Sequence, residues 1–179
     1  MTSRSEERGA RSEGLRVTVR AMLVALLVAS PLALRAQDVG IAVGTTAPRA
    51  IPLETLEGAK ADLGQVIGKG PVFIQFWAAW CSSCHELEPK VAAARKKYGG
   101  RMKFVGVAVS VNQSPRLAQR YAAKHRTPLD LFYDREGNAA DAFEAPGTSY
   151  VVVLDKDGKV VYTGIGGDQD VDAAVRKAL

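Results

Sequence analysis

The chain has 179 residues, with 24 Lys or Arg against 19 Asp or Glu, a formal net charge of +5, 47% apolar and 24% charged side chains. That is the composition of an ordinary globular protein, and it excludes collagen-like, coiled-coil and wholly disordered chains. Two cysteines are too few for a disulfide scaffold or a four-thiolate zinc site.

The basic excess sits mostly at the start. Residues 1–36 carry six arginines and three glutamates, whereas the rest carries 18 basic and 16 acidic groups. No basic stripe with interleaved aromatics follows, so no nucleic-acid partner is expected. After Arg16 and Arg20, Ala21–Leu34 is a run of 14 uncharged residues, closed by Arg35 and Ala36. A positive flank, a short apolar stretch and a small residue at a polar boundary read as a secretory signal, with cleavage expected after Ala36. The run is shorter than the ~20 residues of a membrane-spanning helix, and Pro31 interrupts it. An uncleaved membrane anchor is the alternative, and only in that case would the protein be held at a membrane. Residues 1–36 are thus set apart from a domain over 37–179. Export, expected to be periplasmic, places the thiols where disulfides persist.

Within 37–179, residues 37–60 read as irregular chain with a short strand near Ile51–Leu53. Pro71–Trp77 is a mostly apolar run, as in a strand buried on both faces. Leu87, Val91, Ala94 and Tyr98 have helical spacing, and Gly99-Gly100 stops that helix. Met102–Val111 reads as a second buried strand, Gln113–Lys124 as a helix, Leu129–Tyr133 as a strand and Ala139–Glu144 as a helical turn. Gln113-Ser114-Pro115 reads as a turn without a chemical role. Tyr150–Leu154 and Lys159–Thr163 flank Asp155-Lys156-Asp157-Gly158, a hairpin with Asp-Gly at its turn. Val171–Leu179 closes as a helix. Strands alternating with helices predict an α/β sandwich on a mixed sheet, with the hairpin supplying antiparallel strands.

The chemistry lies in Trp77-Ala78-Ala79-Trp80-Cys81-Ser82-Ser83-Cys84-His85. Two cysteines three apart follow a buried strand and open a helix. Cys81 then falls at or near the helix N-cap, where unpaired N–H groups and the helix dipole favour an anion. Thiolate is the reactive form. At a pKa of about 8.5 only roughly 3% is ionised at pH 7, against roughly half when the pKa is about 7. Cys84, one turn on and expected to be less exposed, can attack a mixed disulfide at Cys81 and release the substrate. A structural staple over so short a loop contributes at most about 2 kcal/mol. A zinc site would need two further ligands, and only His85 and His125 exist.

The string Phe76-Trp77-Ala78-x-Trp80-Cys81-x-x-Cys84, with Pro89 five residues beyond, resembles the active site of the thioredoxin superfamily. The apolar leader and the chain around the motif resemble the exported TlpA/ResA-like branch of thiol:disulfide oxidoreductases, over about residues 44–179. The resemblance implies a thioredoxin-like three-layer sandwich, a mixed central sheet with helices on both faces, ended by a β-hairpin and a helix. It implies a thiol:disulfide oxidoreductase with Cys81 as nucleophile, Cys84 as resolving thiol, and Trp80, Thr148 and Ser149 facing the substrate. Trp77 would be buried support, and Pro89 would kink the helix. The expected partners are protein thiols or disulfides and a membrane electron-donor protein. The chain would act as a monomer, as a reductant, with no cofactor and no metal.

The chain departs from the family in three places. Ser149 stands where the family places a cis-proline facing the cysteines. A cis bond there would cost ~2.5–4 kcal/mol without proline, so the loop is either trans and remodelled or strained, and slower release of mixed disulfides is expected. Gln75 replaces a buried Asp that helps deprotonate the second cysteine, and Gln cannot exchange a proton at neutral pH. Leu87 occupies the place, three residues after the second cysteine, where the branch often has Glu. Glu86 and Glu88 read first as solvated helix-face charges. A peroxiredoxin-type peroxidase and a copper-delivery module are the alternatives on the same fold. The first needs a Pro-x-x-x-Thr-x-x-Cys setting, absent here, and the second a Cys-x-x-x-Cys spacing one residue longer.

Overall fold

The computed structural model describes residues 39–179. The signal segment 1–36 and its cleavage point lie outside the described residues. Among the described residues, seven strands, β1 (Pro52–Thr55), β2 (Lys60–Asp62), β3 (Val72–Trp77), β4 (Lys103–Val109), β5 (Asp130–Asp134), β6 (Tyr150–Leu154) and β7 (Val160–Ile165), form one mixed sheet. Their order is β2-β1-β5-β4-β3-β6-β7. β3 and β4 pair in parallel, as do β4 and β5, while β6 runs antiparallel to β3 and β7 antiparallel to β6. The helices are α1 (Ser82–Tyr98), α2 (Pro115–His125), α3 (Asn138–Ala142) and α4 (Val171–Arg176). This is the α/β thioredoxin-like fold expected from the sequence.

The sheet's alternation divides the core. Val72, Ile74 and Phe76 of β3 join Val105, Val107, Val152 and Leu154 on one face, with Ala139 and Phe143 at α3. Phe73 joins Phe104, Val151 and Val153 on the other face, under Leu87, Val91 and Ala94 of α1 and Val171, Ala174 and Val175 of α4. Both faces of β3 are covered and all six of its residues are buried. A central strand packed from two sides is rigid, and it carries the cysteine loop at its carboxyl end. The opposite strand ends feed short turns. At the β6–β7 turn, Asp155 Oδ1 accepts from the N–H groups of Asp157 and Lys159. Gly158 takes the positive φ of +84° that this turn demands.

Two elements differ from expectation. Lys60–Asp62 is a strand, starting at the last residue of the segment read as irregular chain. It pairs with β1, which in turn pairs antiparallel with β5. The last helix ends at Arg176 instead of running to Leu179.

Candidate active site

The loop after β3 turns directly into α1, with Cys81 as the N-cap at φ −86° and ψ 104°. Cys81 and Cys84 are joined in a disulfide with Cα atoms 5.3 Å apart. The backbone N–H of Cys84 donates to Cys81 Sγ at 3.1 Å, and Ser83 Oγ lies 3.6 Å from the same sulfur. No acidic residue occupies the first turn of α1, so the positive end of the helix is not offset there. A sulfur in this position gains as a thiolate from the exposed N–H groups and from the dipole. α1 continues through Pro89 to Tyr98.

Cys84 is not the less exposed of the two, because each residue retains 3% of its accessible surface. Both belong to one buried cluster with Trp77, Ala78, Ala108, Ala118 and Tyr133.

The structure brings Trp80 and Thr148 together and separates them from Ser149. Trp80 is 49% exposed, and its Nε1 donates to the carbonyl of Val111 at 3.1 Å. Trp80, Val111, Pro146 and Thr148 border a groove of about 360 Å³, floored in part by Ala140. Ser149 is fully buried. Its peptide bond is trans and its φ is +62°, a left-handed value that disfavours a residue with a Cβ. Its N–H donates to the Phe76 carbonyl at 2.8 Å, its hydroxyl donates to the Gly166 carbonyl, and its carbonyl accepts from Gln169 Nε2. The loop is therefore remodelled around a residue that has an N–H to place. A cis-proline offers neither that donor nor a positive φ.

Two side chains were missed in the sequence. Gln113 is nearly buried, at 8% exposed. Its Oε1 accepts from the Ala79 N–H at 3.0 Å, and its Nε2 donates to the carbonyl of Val109 at 2.7 Å. It ties the loop that carries Cys81 to the end of β4, so a segment read as a turn without a chemical role has a structural one. Gln169 does the same for the loop around Ser149, donating to the carbonyls of Ser149 and Gly166. A buried Gln between loops is the one available signal, and sequence spacing does not reveal burial.

Glu88 is only partly solvated, its side chain 26% exposed. Its carboxylate accepts from Tyr121 Oη at 2.6 Å, and His125 Nδ1 lies 3.9 Å away. Burial first, then the hydrogen bond and charge of Glu88, push the Tyr121 phenol well above its ordinary pKa, so it remains a donor. His85 stacks on the Tyr121 ring at 5.0 Å, and His125 stacks on it at 4.1 Å. Glu86 is exposed on the next face.

A thioredoxin-like sheet with a Cys-x-x-Cys pair opening its first long helix defines a thiol:disulfide oxidoreductase. The chain belongs to the Redoxin family, whose model matches residues 42–179, and within the thioredoxin superfamily it falls in the TlpA/ResA-like branch. It is 28% identical over 131 residues to the thioredoxin-like protein YneN of Bacillus subtilis, covering 73% of this chain and 75% of that protein. It is 28% identical over 137 residues to the thiol-disulfide oxidoreductase ResA of Geobacillus thermodenitrificans, covering 75% and 77%. Among solved structures, the thioredoxin domain of a thiol-disulfide oxidoreductase from Bacteroides vulgatus superposes with a TM-score of 0.64 at 23% identity, covering 76% of this chain and 97% of that one. A secreted disulfide oxidoreductase of Mycobacterium tuberculosis homologous to E. coli DsbE superposes with a TM-score of 0.60 at 21% identity, covering 72% and 96%. The solved structures share the fold.

Proposed function

We propose that this oxidoreductase is exported and reduces disulfides in other proteins, with Cys81 as the attacking sulfur and Cys84 as the resolving one. The observation that carries this is the Cys84 N–H aimed at Cys81 Sγ at the uncompensated end of α1. That contact favours a thiolate on Cys81, not on Cys84. The Cys81 thiolate attacks one substrate sulfur, and the other leaves with the electron pair. Cys84 then attacks Cys81 Sγ, the intramolecular disulfide forms, and the second substrate sulfur departs. Two electrons pass from the dithiol to the substrate.

The groove between Trp80 and Thr148 receives the polypeptide flanking the substrate disulfide. Ser149, with its three polar groups engaged, shapes this loop instead of touching the substrate. Residues 1–36 direct export, and residues 37–179 form the redox domain, acting as a monomer. The branch resemblance supports the direction of electron flow and a membrane protein as the source of electrons.

Equilibration of the full chain with glutathione buffers tests the direction. A reductant is expected to have a midpoint below about −200 mV, towards the thioredoxin end of the known range. A midpoint near −120 mV, that of a strong oxidant, would overturn it.

A further inference from the structure

The buried Asp that would help deprotonate the second cysteine is replaced by Gln75, which cannot exchange a proton at neutral pH. Yet Cys84 must lose a proton before it attacks. Glu88 follows Cys84 by four residues in α1, and residues i and i+4 share a helix face. On that face lies a cavity of about 10 Å³, the room that one water molecule needs. Cys84, Glu88, Gln75, Trp77, Tyr121 and Thr127 line it. Two of these residues carry a buried polar atom without a hydrogen-bond partner, Trp77 Nε1 and Thr127 Oγ1. Trp77 itself is only 3% exposed. Buried polar atoms of this kind are ordinarily satisfied by an internal water.

We propose that Glu88 accepts the proton of Cys84 through a water held in this cavity. The inference rests on the reading of Cys84 as the resolving thiol. In the mixed disulfide, the Cys84 S–H gives its proton to the water, and the water gives one to the Glu88 carboxylate. The Cys84 thiolate then attacks Cys81 Sγ, the Cys81–Cys84 bond forms, and the Cys81–substrate bond breaks. The electron pair of that bond leaves on the substrate sulfur, which takes its proton from solvent.

Thr127 and Trp77 position the water. Tyr121 positions Glu88 by donating to it at 2.6 Å. The titratable groups facing the carboxylate are Tyr121 and His125 from α2 and, across the cavity, Cys84 from α1, while His85 stacks on the far partner, the Tyr121 ring. β3 contributes only the neutral Gln75 and Trp77. Glu88 thereby accepts the proton that Gln75 cannot.

The test uses the reduced full chain and dithionitrobenzoate, whose coloured thiolate reports each step. The first release marks attack by Cys81, and the second marks resolution by Cys84. In Glu88→Gln the second release is expected to slow about tenfold or more at pH 7, with the first unchanged. The gap should narrow as pH rises and hydroxide takes the proton instead. Thr127→Val keeps the carboxylate and the side-chain shape, and is expected to slow the second release alone. An unchanged second release across pH in both folded variants would overturn the proposal. Cys84→Ser separates the two ideas: it should leave only the first release. A second release in that variant would instead overturn the assignment of Cys84 as the resolving thiol.

Discussion

With Cys84→Ser, substrate proteins are expected to accumulate as covalent adducts on Cys81, visible as reductant-sensitive bands in a non-reducing gel. Cys81→Ser should form none and should lose disulfide reduction altogether. The physical reason is the asymmetry of the pair. Cys81 Sγ receives the Cys84 N–H at 3.1 Å and lies near the Ser83 hydroxyl, whereas Cys84 sits one turn inside α1. A sulfur stabilised as thiolate attacks, and its partner waits for the adduct. In Cys84→Ser the hydroxyl is too weak a nucleophile to complete the exchange. Adducts on the Cys81→Ser variant with none on Cys84→Ser would reverse the two roles.

The second large effect is on stability and involves a residue outside the motif. Gln113→Ala removes the acceptor for the Ala79 N–H and the donor to the Val109 carbonyl. Buried groups left unpaired cost about 1–3 kcal/mol each, less where water reaches them. A net loss of about 2 kcal/mol is expected, which is a fall in Tm of about 4–8 °C for a domain of this size. Because Ala79 lies two residues before Cys81, the loop that aims the sulfur loosens as well. Thermal unfolding of oxidised protein measures the first consequence. A Tm within 1 °C of the wild type would show that the glutamine bridge contributes nothing.

The parts of the fold that the sequence showed are those set by local chemistry. β3 reads as buried because no residue of Val72–Trp77 is charged, and the structure buries all six. The β6–β7 hairpin reads from β-branched runs around Asp157-Gly158, and Gly158 indeed adopts a positive φ. The start of α1 was legible from the spacing of two cysteines after a strand, since helix N-caps collect anions.

The parts that were not legible depend on partners far along the chain. β2 has only three residues, Lys60–Asp62, and no alternation that marks it. It exists through β1, whose other neighbour is β5, more than seventy residues later. Gln113 and Gln169 bond to backbone groups 34 and 20 residues away. Glu88 carries the same charge whether it faces water or Tyr121, and only the docking of α2 against α1 decides which. Ser149 was recognised as a departure, but its trans bond and left-handed φ follow from an N–H that finds the Phe76 carbonyl.

The central claim is that the start of α1 makes Cys81 unusually acidic. Iodoacetamide alkylation of the reduced protein across a pH series, read at Cys81 by peptide mass, measures it directly. A midpoint clearly below the roughly 8.5 of an unperturbed thiol is expected. Alkylation of Cys81 with a midpoint at 8.5 or above would contradict it.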